Sequence, residues 1–413
     1  MMTVLKPADA LQLREAVAWA AAEEEPVEVV GGGSKAALGR PLDVEHRLEV
    51  SALTGIGLYE PEELVMSAAA GTPLREIEAR LGERCQQLAF EPADYGPLLG
   101  GAQGEGTIAG VFACNLSGPR RIKAGAARDH LLGFRAVSGR GEAFKAGGRV
   151  IKNVTGYDMC KLLTGAFGTL AVLSEVTFKV LPAAEAARTV LGFGLDDQAA
   201  LAAMTRAVGG PFDVTGAAHL PGPLAALSSV GAVAGAGRAV TAVRIEGPGP
   251  SVRYRAERLA SAMGESGPVA ELDGEDSRAF WREVRDVAPF AADRDRHVWR
   301  LSVTPSAAAK VVREVSGALD ALGFYDWGGG LIWLAVAPAG DGAQGAQTAE
   351  RVVRGALARA GGHALLVRAP EAARAAVPVF QPQPEPLARL TARIKESFDP
   401  HRVLNPGRMY EGV

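Results

Sequence analysis

The sequence predicts an α+β protein of two domains, and three observations carry that expectation. At 413 residues the chain is longer than one hydrophobic core usually supports. Between Glu105 and Pro182 a glycine-rich loop, a short helix and a core strand follow one another closely. After Pro182 the texture turns Ala- and Arg-rich, and strand and helix signals alternate. That pattern fits an α+β layer, such as a ferredoxin-like sheet with helices on one face.

From the N-terminus, Asp9 is placed to cap a helix whose apolar residues Leu11, Leu13, Val17 and Ala20 lie mostly on one side, ending before Pro26. Val27 to Val30 is a short strand running straight into Gly31-Gly32-Gly33-Ser34-Lys35. Such glycines either make a tight turn or aim several backbone N–H groups at one anion, a nest that suits a pyrophosphate. The stretch is neither a Walker loop nor GxGxxG opening a long helix. Leu48 to Ser51 and Leu64 to Ala69 read as strands. Thr72 then reads as an N-cap with Pro73 at the first helical position, and Leu74, Ile77 and Leu81 as the buried stripe.

In the glycine-rich stretch, small residues (Gly104, Gly106, Gly110, Ala113, Ser117, Gly118) stand where a backbone approaches something bulky. Cys114 among them reads as a buried small hydrophobe. Arg120, Arg121, Lys123 and Arg128 gather positive charge, either as a solvated face or as a set facing phosphates or an acidic partner surface; Asp129 is placed to order Arg128. Thr155 and Asp158 make a capping-box-like start for a helix carrying Met159, Leu162, Leu163 and Ala166, which Gly165 and Gly168 end. Leu170, Val172, Val176, Phe178 and Val180 then fall on one face of a strand that stops at Pro182.

Beyond Pro182, strands are expected at 189–195, 240–246, 297–304, 331–336 and 363–367, and helices at 198–208, 251–263, 277–287, 307–322 and 346–360. Trp281, Trp299, Trp327 and Trp333 fall here and read mostly as core. The uncharged run from Leu220 to Gly237 is broken by Pro221, Pro223 and glycines, so it reads as a loop followed by a buried strand rather than a membrane span. A proline-rich FQPQPEP segment leads to a last helix, Leu387 to Phe398, and the tail FDPHRVLNPGRMY.

A net charge of -3 gives no basic field for nucleic acid. Cys85, Cys114 and Cys160 are scattered without a CxxC pair, which excludes a self-contained zinc ribbon or iron–sulfur site. The six histidines never occur as HxH, HxxH or HxxxH, so no metal is expected. The N-terminal residues lack the apolar core of a secretory signal, and a cytoplasmic protein is expected.

The segments GPRRIKAGAARDHLLG, KNVTGYD, GTLAVLSEVTFKVLP and FDPHRVLNPGRMY, in this order and spacing, resemble the vanillyl-alcohol-oxidase-type (PCMH-type) FAD-binding flavoproteins, and within them the FAD-binding E subunit of bacterial glycolate oxidase. The resemblance covers roughly residues 25 to 182 and 385 to 413. It implies a PCMH-type two-subdomain FAD-binding domain over 1–185, an α+β cap over 186–382, and a tail over 383–413 that returns to the FAD domain. The cofactor contacts it implies are Gly31, Gly32, Gly33, Ser34 and Lys35 at the pyrophosphate loop, then Pro92 and Gly96, Thr107, Ile108 and Gly110, and Asn115, Gly118, Arg128, Asp129, Gly168 and Val172. A spacer, PLLGGAQGE, here separates the second group from the third. Ser34 and Lys35 follow the glycines where covalently flavinylated relatives carry His, so the FAD is expected to be noncovalent.

The implied activity is oxidation of glycolate to glyoxylate within a complex, alongside a catalytic FAD-linked subunit and an iron–sulfur subunit that takes the electrons. Through those partners the chain would sit peripherally at the inner membrane. The paired-histidine site of the catalytic subunits is missing from this sequence. The catalytic base is unknown, with His219, Tyr157 and Asp326 as candidates; Lys152, Tyr157 and Asp158 read either as helix-start polarity or as flavin- or substrate-side contacts. The alternatives are a self-sufficient FAD-linked oxidoreductase of another 2-hydroxy acid or alcohol, and a scaffold without working flavin.

Overall fold

The computed structural model describes residues 2–149, 156–340 and 342–413. Lys152 and Thr155, singled out above, lie outside them. The chain falls into two compact units, one made of Met1–Ser117, Gly125–Ala183 and Pro382–Val413, the other of Gly118–Ala124 and Ala184–Gln381.

In the first unit, β1 (Thr3–Leu5), β2 (Val27–Val30) and β3 (His46–Glu49) form a parallel sheet in the order β1-β3-β2. The helix Ala10–Glu23 carries the chain from β1 on one edge of this sheet to β2 on the other, and residues 31–45 lead from β2 to its parallel neighbour β3. Asp9 caps it, accepting from the Leu11 and Gln12 amides, and Leu13, Val17 and Ala20 are fully buried. The following strands are β4 (Ile56–Glu60), β5 (Val65–Ala69), β6 (Gln86–Gln87), β7 (Leu131–Ser138), β8 (Ala143–Gly147), β9 (Ala171–Lys179) and β10 (Leu181–Pro182). Five make an antiparallel sheet in the order β4-β5-β9-β7-β8, while β6 and β10 pair separately. β9 is central because Val172, Val176 and Phe178 are all buried core residues.

Thr72 is not the cap of the next helix. Its hydroxyl closes the preceding turn by donating to the Ala69 carbonyl at 2.8 Å, and Pro73 occupies the N-cap of Leu74–Gly82 instead. The C-terminal helix, Glu385–Phe398, leads to a buried ion pair. Lys395 Nζ donates to Asp399 Oδ2 at 2.7 Å, to the Thr169 carbonyl at 2.7 Å and to the Leu404 carbonyl at 2.8 Å. Asp399 also accepts from the Val403 and Leu404 amides. The tail is thereby fixed beside β2, where the Val27 amide donates to the Val403 carbonyl.

The second unit contains β11 (Ala186–Phe193), β12 (Val214–Leu220), β13 (Val240–Gly247), β14 (Val269–Asp273), β15 (His297–Ser302), β16 (Ala321–Asp326), β17 (Leu331–Val336) and β18 (His363–Arg368). They form one sheet in the order β14-β11-β13-β12-β16-β17-β15-β18. Each half reads βαββαβ and has its four strands in the order fourth, first, third, second. The sheet is thus two ferredoxin-like halves joined edge to edge, where β12 meets β16 at His219 and Tyr325. Helices Asp197–Gly209, Gly249–Gly264, Ala308–Ser316 and Gly342–Ala360 pack their apolar stripes on one face, against residues such as Val243, Ile245, Trp299, Leu301, Ile332 and Leu334.

Three strands lack a sequence signal. β12 has Gly-Ala-Ala at its centre, and β14 is short. β16 begins inside the helix expected over 307–322, which stops at Ser316 before Gly317. The run from Leu220 to Gly237 holds the end of β12 and two short helices, Gly222–Ala225 and Gly231–Ala234, and the buried strand β13 begins just after it, at Val240. Among the described residues no helix is long and apolar enough to cross a membrane.

Candidate cofactor site

In the first unit β2 ends at the glycine turn, and the turn opens onto a cleft. Gly31, Gly32, Gly33, Ser34, Lys35, Thr107, Gly110, Gly168 and Val172 line it. Thr107 caps the short helix Ile108–Ala113, its hydroxyl accepting from the Gly110 amide. Its position also forces glycine at 31, where a Cβ would stand 2.3 Å from Thr107 Oγ1. At Gly168 φ is +70° and a Cβ would meet Asn405 Nδ2 at 2.9 Å, so both backbone geometry and space require glycine.

The cleft carries its own cation. Lys35 Nζ has a side-chain contact with Ser34 Oγ at 3.2 Å and faces the Cα positions of Gly106 and Gly110, where added Cβ atoms would lie 3.4 and 3.6 Å from it. Burial holds its pKa below the ordinary 10.5, against the opposing effects of Cys114 and Asp94. An ammonium so enclosed is stabilised by an incoming anion. Glycine amides, a buried ammonium and apolar walls from Val30, Ala109, Ala113 and Phe167 together suit a ligand with a phosphate group and a flat apolar part.

Because anion binding favours the charged lysine, affinity is greatest where Lys35 is protonated in the free protein. It falls as pH rises through that lowered pKa toward 10.5. Lys35→Met is expected to bind FAD about 10- to 100-fold more weakly at neutral pH, from the loss of one charge-assisted hydrogen bond. It is also expected to lose this alkaline fall, as flavin fluorescence titrations across pH would reveal.

Cys114 lines the same cleft, and burial pushes its thiol up to about 11, with Lys35 and Arg408 opposing. It stays a thiol at neutral pH and is no nucleophile. Asn405 and Arg408, from the tail, are lining residues the sequence reading did not select. Asn405 Oδ1 accepts from the Val29 amide at 2.8 Å and its Nδ2 donates to the Phe167 carbonyl at 2.7 Å. Arg408 donates to Glu28 Oε1 at 2.6 Å and to the Ala36 carbonyl at 2.8 Å. The signal was present in the words NPGRMY, but nothing local gives those residues a ligand role.

The remaining candidates stand away from the cleft lining. Ile108 is fully buried behind it. Pro92 is buried, and Gly96 leaves room for the Ala102 carbonyl, 2.1 Å from where a Cβ would be. Asn115 Oδ1 accepts from the Arg128 amide at 3.2 Å, while the Arg128 side chain is 54% exposed. Asp129 accepts from Lys161 Nζ at 3.0 Å. Gly118 belongs to the second unit, where its carbonyl accepts from Trp327 Nε1 at 3.0 Å.

The run of positive charges is only partly open: Arg120 and Arg121 are engaged within the second unit, while the Lys123 and Arg128 side chains are more than half exposed. Arg120 forks Glu246 at 2.8 and 2.9 Å, with both side chains largely buried. Burial works to raise the Glu246 pKa, but Arg244 and Arg120 overcome it and hold it down at about 2. Arg121 lies over the Trp327 ring and Lys123 pairs with Asp213. These side chains bind the segment to the second unit's own sheet.

The three candidate bases fare no better. His219 is sealed from solvent, with Nδ1 2.8 Å from Thr241 Oγ1 and Nε2 3.4 Å from Asp197. Tyr157 is 92% exposed. Asp326 is buried and accepts from the Trp327 amide at 2.7 Å. Among the described residues no three His, Cys, Asp or Glu side chains converge as a metal site.

A family model described as an FAD binding domain matches residues 2–147, the part of the chain that contributes the glycine turn and Thr107. This is a flavoprotein fold with FAD as cofactor. Over its whole length the chain is 34% identical to the glycolate oxidase subunit GlcE of Escherichia coli (strain K12), across 399 residues and 96% of each sequence. It belongs to that family of FAD-linked oxidoreductases. It is also 29% identical over 180 residues to a D-lactate dehydrogenase of Archaeoglobus fulgidus, covering 43% of this chain and 38% of that one. Among solved structures, a 4-ethylphenol oxidase from Gulosibacter chungangensis superposes with a TM-score of 0.71 at 14% identity, over 99% of this chain and 89% of that one, which extends the likeness of fold through the second unit.

Proposed function

We propose that this chain is the noncovalent FAD-binding subunit of a complex that oxidises glycolate to glyoxylate. The observation carrying the reading is the full-length similarity to a glycolate oxidase subunit, joined to a cleft whose glycines, Lys35 and apolar walls suit FAD. Bound flavin supplies a hydride acceptor. Gly31 to Gly33 and Lys35 hold the pyrophosphate, Thr107 keeps the Gly110 helix turned toward it, and Asn405 and Arg408 brace the wall. Cys114, kept as a thiol, stays unattached.

A partner subunit provides what this chain lacks. General-base help is typically worth about 100-fold to 10,000-fold, and none of His219, Tyr157 and Asp326 is placed to give it. Cys85 is exposed, Cys114 half-buried and Cys160 buried, far apart in sequence, so electrons leave through an iron–sulfur subunit. The test is glycolate-dependent dye reduction by this chain, expressed alone and with its neighbouring subunits. We expect turnover only with the partners; full turnover by the isolated chain would make it a self-sufficient oxidoreductase instead.

A further inference from the structure

The second unit carries a cationic cluster that the cofactor reading does not use. In β15 and β17, Trp299, Leu301, Ile332 and Leu334 point into the core beneath the four helices. Side chains alternate along a strand, so Arg300 and Trp333, directly opposite in register, stand together on the other face. Trp327 follows β16 on the same side of the sheet. Its amide is held by Asp326 and its indole N–H by the Gly118 carbonyl, so the ring is fixed.

Two guanidiniums lie over that ring, with the Arg121 and Arg300 carbons 4.2 and 5.0 Å from its centroid. They are no further apart than those two distances together. Arg300 is half-buried and makes no ion pair among the described residues. The pair's field reaches His363, where burial lowers the pKa from 6.5 and Arg300 and Arg121 lower it further. The planar fork of arginine matches a carboxylate, and the fixed, half-buried Trp327 indole offers apolar contact to a short carbon skeleton.

We propose that Arg121 and Arg300, gathered on Trp327, form a subsite for a small monocarboxylate of the 2-hydroxy acid class. Its substrate class rests on the glycolate reading above, while the binding itself does not. The subsite holds a hydroxy acid or its oxidised product, and the function proposed above leaves proton removal to the partner.

Equilibrium dialysis of the purified full chain with radiolabelled glycolate tests this, with FAD content read from the flavin absorbance of the same sample. The expected result is saturable binding that weakens about 10- to 100-fold in Arg300→Gln, from loss of a charge-assisted contact. Arg300→Lys, which keeps the charge without the fork, is expected to lie between. Native far-ultraviolet circular dichroism and wild-type FAD content in each variant exclude misfolding. No saturable binding to the wild type, or equal binding by Arg300→Gln, would overturn the subsite. A yellow protein that ignores glycolate overturns this inference alone, whereas a colourless one that binds it supports the subsite and removes the flavin reading.

Discussion

Gly32→Asp and Gly110→Glu each abolish FAD retention while leaving the 184–381 unit folded. At Gly32 a Cβ would stand 3.0 Å from the Glu105 carbonyl, a backbone atom that does not swing aside. The added carboxylate would then sit among the amides proposed to receive phosphate, so both space and charge are expected to oppose the ligand. At Gly110 a Cβ would lie 3.2 Å from Thr107 Oγ1 and 3.6 Å from Lys35 Nζ. A glutamate there would pair with the cleft's own cation and displace the cap. Since Lys35 alone is expected to matter about 10- to 100-fold, each variant, which adds repulsion and steric loss, is expected to purify colourless. Circular dichroism and limited proteolysis check the fold, and either variant holding flavin with wild-type affinity would show the loop assignment to be mistaken.

Asp399→Ala destabilises the first unit by about 3–5 kcal/mol, the usual cost of leaving one member of a buried ion pair alone. Both side chains of the pair are 0% exposed. Lys395 already has a lowered pKa, chiefly from burial, with Asp399 the main opposing influence. Removing Asp399 lowers it further. A lysine whose folded-state pKa is depressed costs stability while protonated and ceases to do so as pH rises above that pKa. The gap between Asp399→Ala and wild type therefore narrows at alkaline pH. Lys395→Met with Asp399→Leu is expected to be less damaging than Asp399→Ala, because no charge is left buried. Denaturant melts of the three proteins across pH decide it, and a pH-independent gap would count against the buried-charge explanation. Because Asn405 and Arg408 follow in the same tail and brace the cleft, the single variant is also expected to lose flavin more readily.

Much of the first unit was legible because its signals are local. Asp9 caps its helix, the glycines follow β2 directly, and Val172, Val176 and Phe178 keep a strand period. The lining from Gly31 to Lys35, with Thr107 and Gly110, was reachable for the same reason. Asn405 and Arg408 were not, because their role comes from contacts with Val29, Phe167, Glu28 and Ala36 far away in sequence. For Arg120, Arg121 and Lys123 the sequence left a solvated face and an acidic partner surface as alternatives because their partners, Glu246, Trp327 and Asp213, come from distant segments of the second unit. That unit's second ferredoxin-like half was hidden for a different reason. β12 has Gly-Ala-Ala at its centre and gains its place from pairing on both edges, and β16 follows a helix signal that runs past its true end.

The central claim is that the glycine-lined cleft holds FAD without a covalent bond, and acid precipitation of the purified chain tests it most directly. The expected result is a yellow protein whose colour passes wholly into the supernatant, where the released cofactor is identified as FAD. A colourless native protein, or colour retained in the pellet, would contradict it.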